Sequence, residues 1–121
     1  MCVGGSQIGF NRGSNAKDPE LLFEDIRMAI ARIKRCVGKR TKQGLLRDEI
    51  RTGYVLWNLL IIGEASSRLP RDVRAGFPDV DWKRIIAFRN VIIHGHNGID
   101  KDIVWSVIKE KLPELEAKLK R

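Results

Sequence analysis

Arg89 and His94 are the residues of this chain best suited to chemistry. They lie in the run Ile85-Ile86-Ala87-Phe88-Arg89-Asn90-Val91-Ile92-Ile93-His94-Gly95-His96. Histidine changes charge near neutrality, so it can take a proton from an RNA 2′-hydroxyl or give one to a leaving 5′-oxygen. A guanidinium is fixed in charge and forked, so it can hold a phosphate and stabilise charge building on its oxygens. The pair therefore suits phosphodiester cleavage without a metal. One Arg and one His make half of an acid–base site, and a symmetric dimer would supply a base, an acid and two cations. The same residues also fit a structural role, in which Arg89 pairs with an acid and His94 caps helix carbonyls.

Other chemistries have less support. The chain has no Gly-rich phosphate loop, dinucleotide fingerprint or serine nucleophile elbow. His94 and His96 could ligate a metal, with Asp100 or a group from another chain as third ligand, but a catalytic zinc usually takes three protein ligands. Cys2 and Cys36 lie far apart, outside any Cys-x-x-Cys pair, which argues against structural zinc and a disulfide framework. No cofactor is expected.

The elements that must position the pair read as helices. The opening run does not alternate apolar and polar residues, so it predicts a helix buried nearly all round. Its thin polar wedge holds Lys83, Asn90 and His94, with Arg89 at the edge. Gly95 is the stop, and Asp79 or Asp81 the N-cap. Upstream, Asp18-Pro19 starts a helix whose apolar stripe is Leu22, Ile26, Ile30, Ile33 and Val37, closed by Gly38.

A second, longer helix is predicted from near Leu45 through Ser66 or Ser67. Ile50, Tyr54, Trp57, Leu60 and Ile61 lie on one face, broadened by Val55, Leu56, Leu59 and Ile62, as for burial against several neighbours or at a subunit interface. Gly63 within it costs roughly 1 kcal/mol relative to Ala, which predicts close packing of another helix. Glu64 continues the apolar register of this face, where a carboxylate needs a partner: it either pairs with Arg89 or braces the site through a hydrogen bond, or else turns to solvent at the helix end. Pro70 opens a short helical turn through about Phe77. Asp100 caps the last helix, whose seam is Val104, Ile108, Leu112, Leu115 and Leu119, with Trp105 beside it. Pro113 either kinks that helix or starts a separate one.

The fold expected is an all-α, up-and-down bundle of four main helices plus short helical segments. Residues 1–17 read as a flexible leader and 18–121 as one helical domain. A chain of 121 residues buries about two thirds of the surface that it exposes unfolded. Its net charge of +8 and pI of about 9.9 suit a polyanionic partner. The start, Met1-Cys2-Val3-Gly4-Gly5-Ser6, lacks the pattern of a secretory signal, and no apolar stretch approaches the ~20 residues of a membrane span. A cytoplasmic protein with reduced thiols is expected.

Five ordered blocks carry a family resemblance. They are Ile61-Ile62-Gly63-Glu64-Ala65, Asp81-Trp82, Arg89-Asn90-Val91-Ile92-Ile93-His94-Gly95, Gly98-Ile99-Asp100 through Val104-Trp105, and Leu112-Pro113-Glu114-Leu115. Together the set resembles the HEPN superfamily, specifically the small HepT-like toxins of prokaryotic toxin–antitoxin pairs. The resemblance implies a helical bundle forming a two-fold homodimer, with Arg-x4-His motifs from both protomers facing one cleft. It also implies metal-independent endoribonuclease activity on RNA and a minimal nucleotidyltransferase antitoxin as partner. On this chain, Arg89 would bind the scissile phosphate, His94 would be the acid–base residue, and Asn90 would orient one of them. Many HepT-like toxins continue the motif to a Tyr that the antitoxin modifies with AMP. His96 stands at that position, so the partner either blocks the cleft by binding, or modifies another residue, or has a different relationship to this chain. His96 could instead serve as a second acid–base or phosphate-contacting residue, or be a plain loop histidine. The alternative function is a non-catalytic HEPN subunit that binds a nucleotidyltransferase partner or a nucleotide.

Overall fold

The computed structural model describes residues 18–95 and 98–120. The leader 1–17 and His96 lie outside them. Helix α1 (Pro19–Val37) begins as its sequence dictates: the Asp18 carboxylate accepts from the Glu20 N–H at 2.9 Å, and Pro19 opens the first turn. Leu22, Ile26, Ile30, Ile33 and Val37 are all buried, so the predicted stripe is the core face. Gly38 closes the helix at φ 51°, a conformation costing roughly 1–2 kcal/mol for a residue with a β-carbon.

The helix predicted from Leu45 is broken in two. Helix α2 (Lys42–Leu46) is capped by Thr41, and α3 (Glu49–Arg68) restarts at Asp48, whose carboxylate accepts from the Arg51 N–H at 3.1 Å. Asp48 offers the backbone a capping bond that competes with helix continuation. The apolar periodicity runs on across the break while the hydrogen-bond ladder does not.

The face of α3 also differs from expectation. Val55, Leu59, Ile62, Ala65 and Ser66 are buried, with Asn58, whereas Ile50, Tyr54 and Trp57 are exposed, at 85%, 42% and 62%. Two sides of α3 are apolar, and periodicity alone does not say which one meets α1. The inner side does, leaving the other uncovered.

Helix α4 (Arg71–Ala75) is shorter than predicted. Phe77 leaves it to pack at a tilt against Phe23, ring centroids 5.1 Å apart, and meets Trp82 edge-on at 6.4 Å. The Trp82 indole N–H donates to the Arg74 carbonyl at 3.1 Å. These contacts seat the start of α5 (Trp82–His94), which is capped by Asp81 rather than Asp79. Helix α5 begins beside the end of α3 and runs back antiparallel along it. Of its residues only Trp82 and Ile92 are buried; Ile85, Ile86 and Phe88 are half-buried, and Val91 and Ile93 are exposed. The expected burial all round is therefore not found, because α5 packs closely on α3 alone. On its other side an apolar groove lined by Ile85, Phe88, Val107 and Leu115 separates it from the C-terminal helix.

That last helix starts at Asp100, whose carboxylate caps α6 (Lys101–Ser106). It passes through a single π turn (Val107–Lys111) into α7 (Leu112–Leu119). Pro113 thus neither ends the helix nor starts a separate one. Lacking an N–H, and with a ring that would meet the carbonyl four residues back, it is accommodated by the wider turn before it. Val104, Ile108, Leu112, Leu115 and Leu119 are buried as predicted. Lys101 Nζ donates to the Leu46 carbonyl at 3.2 Å, and Lys42 pairs with Asp102, fixing the start of α6 against α2. Four long helical stretches and two short helices make an all-α bundle with no strand among the described residues.

Candidate active site

The site is built where α5 crosses α3. A β-carbon placed on Gly63 would stand 2.5 Å from Arg89 Cβ, closer than real contacts allow. Gly63 therefore admits α5 to the surface of α3 and sets Arg89 against that helix, as the sequence predicts. From there the Arg89 side chain reaches Glu64 and Ser67: Nη1 donates to Glu64 Oε1 at 2.8 Å and to Ser67 Oγ at 3.1 Å. Nε and Nη2 both donate to Asn90 Oδ1, at 3.4 and 3.2 Å. Four of the five N–H groups of a guanidinium are so engaged, and one Nη2 hydrogen is left to meet a ligand.

The predicted Glu64–Arg89 pair is present, in a different setting. Glu64 is not buried: its side chain is 51% exposed and that of Arg89 20%. Water supports the carboxylate, so the pair is worth less than a buried one. Glu64 also receives Arg68 Nε at 3.2 Å. One carboxylate is shared by two guanidiniums, and the cluster keeps one net positive charge.

His94 is exposed in the last turn of α5, and its ring makes no hydrogen bond or ion pair among the described residues. Capping of helix carbonyls by His94 is thus not observed, although the pairing of Arg89 with an acid is. Gly95 follows, its N–H donating to the Val91 carbonyl at 2.8 Å. Its φ of −117° is not left-handed; glycine fits there because a β-carbon would stand 2.9 Å from that carbonyl oxygen. Five residues advance a helix about 7.5 Å and turn it about 140°. Arg89 and His94 of one chain therefore leave α5 on different sides and do not touch.

Ser67 and Arg68 escaped the sequence reading. Ser67 lies one turn beyond Glu64, and Arg68 stands four residues from it in the spacing of a helical ion pair. Both signals are common to many helices and point to a site only once Arg89 is seen beside them. The apolar groove across α5 holds neither Arg89 nor His94. Cys36 is a buried free thiol, with Sγ 3.7 Å from the Arg51 carbonyl, and plays no part here. Among the described residues no helix is long and apolar enough to cross a membrane.

Fold and site together define a helical bundle that presents a clamped arginine and an exposed histidine from one helix. The model of the ribonuclease HepT-like family matches residues 26–121, and the chain belongs to that family. A Thermococcus cleftensis protein named as a probable ribonuclease HepT is 32% identical over 99 residues, covering 82% of this chain and 90% of that protein. A provisionally named RNase of Caldanaerobacter subterraneus is 35% identical over 78 residues, 64% of this chain and 70% of its own. Another, from Methanocaldococcus jannaschii, is 42% identical over 62 residues, which span 51% of this chain and 57% of that protein. No solved structure gives a significant match.

Proposed function

We propose that this protein is a metal-independent endoribonuclease that cuts RNA by attack of a 2′-hydroxyl on the adjacent phosphorus. Two copies join about a two-fold axis, and the Arg89 and His94 of each face one cleft. The neutral imidazole of one His94 takes the 2′-hydroxyl proton as the 2′-oxygen bonds to phosphorus. The P–O5′ bond breaks, and the partner's His94, as imidazolium, gives its proton to the departing 5′-oxygen. The products are a 2′,3′-cyclic phosphate and a 5′-hydroxyl. The Arg89 guanidiniums hold the phosphate and oppose charge on its oxygens. Asn90, Glu64 and Ser67 keep each guanidinium oriented beforehand, so little reorganisation is needed at the moment of reaction.

The observation that carries this reading is the contrast within one helix. Arg89 is fixed by three side chains while His94 is exposed and has no partner among the described residues, as a phosphate clamp and a proton carrier should be. The names of the HepT-like relatives support the RNase class. Dimerisation is supported by the uncovered apolar side chains Trp57 of α3 and Ile93 of α5. We assign the protein to the cytoplasm as the toxin of a toxin–antitoxin pair, held in check by a minimal nucleotidyltransferase. With His96 where a modifiable Tyr is expected, that partner acts by covering the cleft.

A second reading draws on the same clamp. Because Glu64, Ser67 and Asn90 engage most of the Arg89 guanidinium, the residue also suits a non-catalytic subunit that binds a nucleotidyltransferase partner or a nucleotide. A substrate with one 2′-deoxy sugar separates the two. The endoribonuclease leaves that linkage intact, cuts the all-ribose control and yields cyclic phosphate ends. A binding subunit cuts neither.

A further inference from the structure

The positive charge is not spread evenly. Residues 32–51 hold eight Lys and Arg against Asp48 and Glu49, a net +6 of the chain's +8. The fold gathers this segment at one end of the bundle, formed by the last turns of α1, by α2 and by the start of α3. There Arg32 and Arg35 of α1 and Arg51 and Tyr54 of α3 line one open groove, with the exposed Ile50 beside them. Asp48 is the groove's only carboxylate among the described residues, and Arg51 Nε holds it at 3.1 Å. Arg32 and Arg35 make no ion pair among the described residues.

We infer that this groove is a second RNA-binding surface, separate from Arg89 and His94, that grips single-stranded RNA flanking the cut. Two unpaired guanidiniums supply phosphate contacts, and the Tyr54 ring, 42% exposed, supplies a face for a base to stack on. The position suits the role. Helix α5 runs antiparallel to α3 with Arg89 opposite Gly63, so His94 lies toward the α3 start, on the order of 13 Å short of it along the axis. That span is two to three nucleotides of strand. An acidic protein partner would meet the same charge, but an aromatic ring lining the same groove as the arginines favours nucleic acid. The inference builds on the ribonuclease reading by naming how the substrate is held.

The test is binding of a fluorescein-labelled 12-nucleotide single-stranded RNA, followed by anisotropy across a salt series in full-length His94→Ala protein. The Arg32→Gln/Arg35→Gln double variant should bind roughly tenfold more weakly at low salt. The slope of log affinity against log salt should fall by about 1.4, near 0.7 per lost single-strand contact. Arg32→Lys/Arg35→Lys, which keeps the charge, should retain most of the slope and guards against a folding defect. Equal affinity and slope in the Gln variant overturn the proposal and leave the groove to a protein partner. Loss of slope in a protein whose unmutated form binds RNA without cutting it supports the groove and refutes the catalytic reading, so the two fail separately.

Discussion

Glu64 Oε1 lies 2.8 Å from Arg89 Nη1, joining α3 to α5 beside the glycine that lets the two helices meet. The carboxylate is half-exposed and shared with Arg68, so its main effect is on where Arg89 points. Glu64→Ala is expected to change unfolding free energy by less than about 1 kcal/mol, in the range of surface ion pairs. It should lower cleavage by roughly tenfold, as for lost positioning. Thermal melts and kcat/KM measurements read the two effects. Faster cleavage would mean that Glu64 restrains Arg89 instead of aiming it.

Gly63→Ala tests the helix contact itself. Its β-carbon and that of Arg89 are both fixed to backbone, so neither can swing aside and the helices must part. Overpacking of this kind costs about 1–3 kcal/mol, offset by roughly 1 kcal/mol of helix propensity. A net loss of up to about 2 kcal/mol in urea denaturation is expected, with cleavage reduced further than stability explains. A stabilised variant would show that the helices part freely.

Asn90 should prove as important as Glu64. Its Oδ1 receives both Nε and Nη2 of Arg89, and Asn90→Ala frees the edge of the guanidinium nearest the helix backbone. Cleavage should fall by about tenfold, mostly through kcat. Asn90→Asp keeps the acceptor and should recover much of that loss; a KM effect alone would place Asn90 in ground-state binding.

Trp57 is 62% exposed, so the fold of one chain does not need it. If α3 carries the dimer contact, Trp57→Glu should give a folded monomer by circular dichroism and light scattering, with cleavage lost. A monomeric variant that still cuts RNA would show that one copy makes the whole site.

Much of the fold was legible because capping and apolar spacing are local. Asp18, Asp81 and Asp100 all cap helices as their residue types require, and the stripes of α1 and of the last helix are buried. Misreadings arose where tertiary packing decides. Ile50, Tyr54 and Trp57 have the spacing of a core face, yet α1 takes the other side of α3. Helix α5 has the apolarity of a buried helix, yet meets only one neighbour closely. For the candidate site, Gly63, Glu64 and Arg89 could be picked out because each is unusual in its helix, whereas the part of Asn90 came from the family resemblance. Ser67 and Arg68 are ordinary helix residues and gained meaning only from the distance to Arg89 and Glu64 that folding creates.

The most direct test of the account is cleavage of single-stranded RNA by the purified protein in excess EDTA, beside Arg89→Ala and His94→Ala. The unmutated protein should cut, and each variant should lose at least about a hundredfold in rate, the scale of one acid–base or electrostatic group, with its oligomeric state intact. Cleavage that persists in both variants, or that EDTA abolishes, would contradict a metal-independent site built on Arg89 and His94.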